Sequence, residues 1–333
     1  MYSTANKKML NMVILNILEE YSDANHRLTQ QEIIRLLKAN YDMECDRRSV
    51  KNNIDYLNEL MGDVIDTENG YYLSEREFED AELRMLIDSV LFSKNLTQKQ
   101  AKDLIEKLRA KGNKYFSAKV THISNLPEIH HADNKQLMYA IDTVNDAIAE
   151  KKKISFVYNT YGTDFKLYPR RDGMRYVVNP YQMVANNGKF YLIGNYDKYD
   201  DISHYRLDKM TDVEILDEKA KSQKNIKDFK NGFNLPKHMA EHIYMFSGSS
   251  IRVKLLAPAT MMDELIDWLG KGFTVKPAAD EGQIEISLNC NEDSMFYWAL
   301  QYGPYVEVLE PVSLRNRIAE SIKKMSEKYE CAK

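Results

Sequence analysis

Sulfur and long apolar stretches are scarce in this chain, and positive charge is not in excess. Only three cysteines occur in 333 residues, Cys45, Cys290 and Cys331, without the spacing of a metal site or a disulfide framework. Such usage fits a reducing compartment. No apolar run approaches the roughly 20 residues that a membrane span needs. Met9 to Leu18 is interrupted by Asn11 and Asn16 at helical period, so neither a signal peptide nor a spanning helix is expected there. The net charge of −4 argues against a wholesale polyanion binder, so any nucleic-acid contact must come from local patches. The chain also lacks a Gly-rich phosphate loop, a nucleophile elbow, a His-x-Glu metal pair and a close carboxylate pair with a plausible partner. His130-His131 are neighbours that point apart on a strand or loop, with no third ligand at ligand spacing. A non-enzymatic, soluble cytoplasmic protein without cofactor or metal is therefore expected.

What remains is an ordinary globular balance, 44% apolar and 29% charged, with length for two or three domains. Leu10, Val13, Ile14, Ile17, Leu18 and Tyr21 recur at helical period. Thr29-Gln30-Gln31-Glu32 has the form of a capping box that opens a second helix. Asp46 is a good N-cap for a third helix running to about Met61. In that helix Val50, Ile54, Leu57 and Met61 make one stripe, with Arg48, Asn52, Asp55 and Tyr56 opposite and Arg47 and Lys51 on the flank. Arg and Asn pair bidentately with guanine and adenine edges, and flanking cations suit phosphates. The same residues would equally suit a plain solvated helix face. Val64–Leu73 then reads as a hairpin turning at Asn69-Gly70. Helix, capped helix, polar helix and hairpin is the winged helix-turn-helix order, in which the third helix enters the major groove. The candidate DNA-contacting set is Thr29, Gln30, Arg47, Arg48, Ser49, Lys51, Asn52, Tyr56, Asn69 and Tyr71. Over residues 1–60, eight basic side chains face nine acidic ones, which implies that a dimer supplies enough phosphate contacts.

Residues 79 to 111 read as helical, with Thr97 as a cap and Gly112 as a stop, whereas 113–133 shows no sustained period and reads as a flexible linker. One more helix, 134–151, precedes a series of short strands: Ile154–Tyr158, Phe165–Tyr168, Arg175–Val178, Tyr181–Val184, Phe190–Gly194, Tyr199–Asp201 and Ile202–Leu207. Strands at this spacing make a small, strongly bent barrel, with Pro169 and Pro180 at edges or bends. Lys166, Arg170, Arg171, Arg175 and Arg206, interleaved with Tyr158, Tyr181, Tyr191 and His204, offer guanidinium forks for phosphate and aromatic faces for bases. Each of Arg170, Arg171 and Arg175 alone would also suit an exposed loop, and Tyr191 a packing role.

Phe190-Tyr191-Leu192, the upstream Asn179-Pro180-Tyr181 and the downstream Tyr205-Arg206-Leu207-Asp208 resemble the WYL domain of bacterial transcription regulators, with Phe190 in place of the Trp. The resemblance implies an Sm-like (SH3-like) barrel that senses a ligand, often nucleic acid or a nucleotide, and matches Arg206 to the family's arginine and Tyr191 to its tyrosine. After a charged connector, Asp217 to Lys230, strands and helices alternate β-α-β-β-α-β from Ile251 and end in a helix from Ser313 to Tyr329, an order that is ferredoxin-like. Ala299–Gly303, Val306–Pro311 and Leu314–Arg317 resemble the extension that follows WYL domains. That resemblance implies dimerisation and closure over the ligand site, with Arg315 and Arg317 as contributors.

The expected fold is therefore α+β and multidomain: a winged helix-turn-helix (1–75), a helical linker (76–133), an Sm-like barrel (134–220) and a ferredoxin-like extension (221–333). The expected function is a homodimeric transcription regulator that binds double-stranded operator DNA and senses single-stranded nucleic acid or a nucleotide. The alternative is a nucleic-acid-binding accessory without promoter specificity.

Overall fold

The computed structural model describes residues 9–93, 95–119, 136–226, 229 and 232–330. The chain packs as two units, Met1–Asp133 and Asn134–Lys333, each built around its own core. Among the described residues no helix is long and apolar enough to cross a membrane.

In the first unit, three helices follow one another: α1 (Leu10–Tyr21), α2 (Gln30–Tyr41) and α3 (Arg47–Met61). Their apolar stripes meet in a core of Ile14, Ile17, Leu18, Ile33, Leu37, Val50 and Ile54. The capping box at α2 is formed: Thr29 Oγ1 accepts from the Glu32 amide, and the Glu32 carboxylate accepts from the Thr29 amide and hydroxyl. Two short strands, β1 (Ile65–Asp66) and β2 (Tyr72–Leu73), make the hairpin, with Asn69 in the left-handed region at its turn. Leu28, between α1 and α2, adds a bridge to Tyr71 through two 2.8 Å backbone bonds. The hairpin is fixed to α3 by Asn58, whose amide donates to the Ile65 carbonyl at 2.7 Å and accepts from its N–H at 2.8 Å.

Helices α4 (Asp80–Leu91), α5 (Gln98–Arg109) and α6 (Lys114–Lys119) close over Leu83, Ile87, Leu91, Ile105 and Phe116. The last of these corrects the expectation of a linker from residue 113. Asn113 caps α6 by accepting from the Tyr115 and Phe116 amides, and its own amide donates to the Ser22 carbonyl at the end of α1. Six residues are too few for a helical period to register in the sequence. The rest of the expected linker, with His130-His131, lies outside the described residues.

In the second unit, α7 (Leu137–Glu150) lies against an antiparallel sheet of β3 (Lys152–Tyr161), β4 (Leu167–Pro169), β5 (Arg175–Asn186), β6 (Lys189–Tyr196), β7 (Ser203–Arg206) and β8 (Met210–Lys219). The order is β4-β3-β5-β6-β7, with β8 returning to pair with β3. Among the described residues no ladder joins β7 to β8, so the sheet is not a fully hydrogen-bonded closed barrel. The two strands expected over 175–184 are one 12-residue strand, broken in register between Pro180 and Gln182. Pro180 thus sits at a bulge, where a missing donor is tolerated. Tyr199–Asp201 is a loop instead of a strand, because the Asn195 amide donates to the carbonyls of Tyr199 and Asp201. A strand at 210–219 replaces part of the expected connector.

A second four-stranded sheet has the order β10-β11-β9-β12, from β9 (Ser250–Pro258), β10 (Thr274–Pro277), β11 (Gln283–Asn291) and β12 (Glu307–Glu310), with every neighbour antiparallel. Three helices accompany it: α9 (Met262–Leu269), α10 (Glu292–Gln301) and α11 (Val312–Glu330). A short helix, α8 (Leu235–Glu241), lies between the two sheets in sequence. Trp298, Leu255 and Leu265 are fully buried at the centre of this second core.

Replacing Asn58 with Ala removes both bonds to Ile65 and leaves two backbone groups unsatisfied. The expected loss is roughly 1–3 kcal/mol, read as a lower denaturant midpoint of the first unit.

Candidate functional site

On α3 the cap and the core stripe together decide which side chains face out. Asp46 accepts from the Ser49 amide at 2.7 Å and starts the helix, and Val50, Ile54 and Leu57 turn inward. Arg47, Arg48, Lys51, Asn52 and Tyr56 are left exposed. Ser49 is half-buried, with its backbone engaged by Asp46 and by the Asn53 amide. Thr29 is committed to its capping box. Gln30 donates to the Tyr71 hydroxyl at 2.9 Å, so these two hold the start of α2 to the hairpin. Arg27, which the sequence reading passed over, pairs with Asp66 at 2.8 Å, bonds the Glu68 carbonyl and lies 4.5 Å over the Tyr72 ring. A cleft of about 780 Å³ in this unit, lined by Glu19, Arg76, Glu77, Arg109 and Lys111 among others, contains none of the candidate residues and carries both signs of charge.

The second unit gathers cations around one acid. Asp208, in the turn after β7, is about 1% exposed. Arg206 grips it with a fork, Nε to Oδ1 at 3.0 Å and a terminal nitrogen to Oδ2 at 2.7 Å. Lys189, at the start of β6, donates to the same Oδ2 at 3.1 Å. Burial pushes the Asp208 carboxyl up, but the bonds and charges of Arg206 and Lys189 together outweigh it and hold the group below its ordinary value. Lys209 is pushed down, first by burial and then by Arg206, with Arg170 and Lys189 adding to the effect. Arg206 and Lys189 thus share one carboxylate, with Lys209 and Arg170 near enough to add to the positive field, and an arriving anion would relieve the repulsion among them.

Aromatic rings border the cluster. Tyr191 faces Arg206 across the β6–β7 ladder. The Tyr158 hydroxyl accepts from the Arg206 amide at 3.2 Å, and the Arg170 guanidinium lies 6.0 Å from the Tyr158 ring centre. Of the candidate ligand residues, the structure therefore brings together Tyr158, Arg170, Tyr191 and Arg206. It adds Lys189 and Lys209, whose positions beside the Asn187-Gly188 turn and the Arg206–Asp208 pair were the available signal.

The other five candidates lie elsewhere. Arg175 is turned along its own sheet to Ser155, the Asp212 carbonyl and Glu214. Tyr181 is buried, donates to the Lys221 carbonyl at 3.1 Å and packs edge-on against Phe229. Lys166 is exposed on the β3–β4 turn. Arg171 is exposed in the left-handed region, 5.8 Å from the Tyr176 ring centre. His204 joins His238 and His242 in a separate pocket. On α11 Arg315 pairs with Glu307 and the Val308 carbonyl, and Arg317 pairs with Asp293 and covers Phe296.

The buried pair gives a pH prediction. The Asp208 pKa is depressed in the folded state, so its contribution to stability is present above the ordinary carboxylate pKa of about 3.9 and lost as pH falls through the lower folded value. Asp208→Asn leaves three cations facing a neutral amide, and an expected loss of about 3–5 kcal/mol would be measured by thermal or denaturant unfolding at pH 7. It would also flatten the acid limb of the stability profile below about pH 4.

Comparison with known proteins bears on this unit. The WYL domain family matches residues 139–215, which span the cation cluster, and the WCX domain family matches residues 249–326. No curated protein sequence matches the chain significantly. Among solved structures, Proteasome accessory factor B/C (PafBC) of Arthrobacter aurescens aligns at 14% identity and a TM-score of 0.30, over 94% of this chain and 47% of that one. This chain thus spans about half the length of that protein. The crystal structure of a CRISPR Cas-related protein aligns at 13% identity and a TM-score of 0.39, over 99% of this chain and 88% of that one. The chain carries a WYL domain followed by a WCX domain.

Proposed function

We propose that the chain is a DNA-binding transcription regulator whose WYL domain senses an anionic ligand, single-stranded nucleic acid or a nucleotide. The observation that carries the reading is the cluster of Arg170, Lys189, Arg206 and Lys209 about one buried carboxylate, inside the span matched by the WYL family. The Arg206 guanidinium, fixed by Asp208 through Nε and one terminal nitrogen, has its remaining N–H donors oriented for phosphate, and the Tyr158 and Tyr191 rings border it for bases.

The first 75 residues act, in this reading, as a winged helix-turn-helix. Three helices, the Leu28 bridge and the hairpin support that assignment, with α3 offering Arg48 and Asn52 to base edges and Arg47 and Lys51 to phosphates. In this reading the helices described over residues 76–119 belong to a linker, 134–220 is the Sm-like sensor and 221–333 a ferredoxin-like extension through which the chain dimerises. The strand order β10-β11-β9-β12 supports the last of these. A dimer sets two α3 helices in successive major grooves, and a ligand that binds the two arrangements unequally shifts their balance.

A second reading, an accessory nucleic-acid binder without promoter specificity, draws on the near-cancelling charge of residues 1–60. Footprinting of the DNA near its own gene separates them. A discrete protected site that is lost in Asn52→Ala supports the regulator, and no protection supports the accessory. For the sensor, fluorescence anisotropy of a labelled short single-stranded DNA with the full chain should show saturable binding that weakens with salt. Arg206→Ala is expected to weaken it at least tenfold. Lys209→Met should weaken it less and reduce the salt slope by about 0.7, the loss of one single-strand phosphate contact. Salt-dependent binding that is unchanged in both variants would place the ligand elsewhere.

A further inference from the structure

Three of the seven histidines meet in a pocket of about 340 Å³ that neither the DNA-binding surface nor the cation cluster uses. His204 comes from β7, His238 from α8, Glu241 from the last position of α8 and His242 from the residue that caps its C-terminal end. The pattern His238-x-x-Glu241-His242 is one turn of helix that presents two imidazoles and a carboxylate together. It is the signal that the sequence reading missed, and the strand topology supplies His204 opposite it.

The contacts inside the pocket are those of ligands more than of ordinary core histidines. His204 Nε2 and His238 Nε2 face each other at 2.8 Å, with ring centres 5.0 Å apart. Two lone-pair nitrogens in that position hold at most one proton between them. His204 Nδ1 is buried without a hydrogen bond of normal geometry, and the Phe246 backbone is the weakest of the influences on that ring. Burial, then the neighbouring imidazoles, hold His204 down to about 3, and burial, then His242, hold His238 down to about 4.

As folded, no three donors converge on one point among the described residues. His242 stacks on His238 with ring centres 4.1 Å apart, its Nδ1 3.0 Å from the His238 carbonyl and its Nε2 3.3 Å from the Gly248 carbonyl. Carbonyls only accept, so a ring with one N–H donates to one of them and presents a lone pair to the other. Turning away from Gly248 gives up the longer contact. Glu241 lines the same pocket and pairs with Lys237 at 3.8 Å.

We propose that His204 and His238 are the paired ligands of a divalent transition-metal site of the zinc, cobalt or nickel class, completed by His242 or Glu241 at the C-terminal end of α8. Imidazole and carboxylate donors without thiolate suit these ions. With metal–nitrogen bonds of about 2.0–2.1 Å, a tetrahedral site needs its nitrogens roughly 3.3 Å apart. The facing pair thus has to open by only about half an ångström. Solvent or a small anion takes any position the protein leaves open.

The test uses the untagged full chain, stripped with chelator and titrated with Co²⁺. One equivalent should bind with the visible bands of tetrahedral cobalt, without the sulfur charge-transfer band that a cysteine ligand would add, and Zn²⁺ should bleach them. His204→Gln and His238→Gln, which keep size and polarity, should each lose the bands while keeping wild-type circular dichroism. Loss in either His242→Gln or Glu241→Gln identifies the third donor. A variant with His122, His130 and His131 all changed to Gln should bind as wild type does. Absence of stoichiometric cobalt, retention in His238→Gln, indifference to both third-donor variants, or loss only in the triple variant would each overturn the proposal.

Discussion

A carboxylate cut off from water must be answered by positive charge, and Asp208 is the place where this fold meets that demand. The strand β7 delivers Arg206, the turn that follows delivers Asp208 and Lys209, and the start of β6 delivers Lys189. One acid thereby fixes the geometry of several cations that would otherwise repel one another. Its own charge is more than offset. Structure and binding capacity come from the same ion pair: the bond that orients the Arg206 fork also uses up part of its charge, so Lys189, Lys209 and Arg170 determine how much remains for a ligand.

The first unit solves a different problem, holding a polar helix at a fixed attitude with few contacts to spare. Core residues Val50, Ile54 and Leu57 set the rotation of α3, and Asn58 sets where the hairpin leaves it. Arg27 and Gln30 then tie the hairpin back to the α1–α2 connection. Several side chains that read as DNA contacts in the sequence are part of this bracing. Thr29 completes a cap, and Gln30 and Tyr71 satisfy each other. The exposed group of Arg47, Arg48, Lys51, Asn52 and Tyr56 is what the bracing presents.

Elements with an intact period were legible in the sequence, and elements with a broken one were not. The three apolar helical stripes, the Thr29 capping box, the Asn69-Gly70 hairpin and the β-α-β-β-α-β order all stand in the structure. The strand β8 escaped notice because Asp212 adopts a left-handed conformation opposite a register shift in β3, which puts Met210 and Val213 inward at a spacing of three. Charge alone could not separate Arg206 from Arg175. Both are arginines on strands, but one reaches a buried acid and the other closes a ladder beside Ser155 and Glu214. Lys189 and Lys209 were passed over for the converse reason, since the signal of a lysine beside a turn gains meaning only once the acid that collects it is located.

The β5–β6 turn, described so far only as a hairpin, is tied on both sides. Asn186 and Asn187 donate to the Ile243 carbonyl, just beyond the last histidine of α8, while Lys189, two residues further on, holds Asp208. The chain after β8 is stitched down as well, by Lys221, whose amide donates to Asn179 and whose carbonyl accepts from Tyr181. The stretch between the two sheets is therefore a strap buckled at residues 221 and 243. Its far buckle is the hairpin that carries one of the cations, so the tie to Ile243 and the hold on Asp208 lie within four consecutive residues.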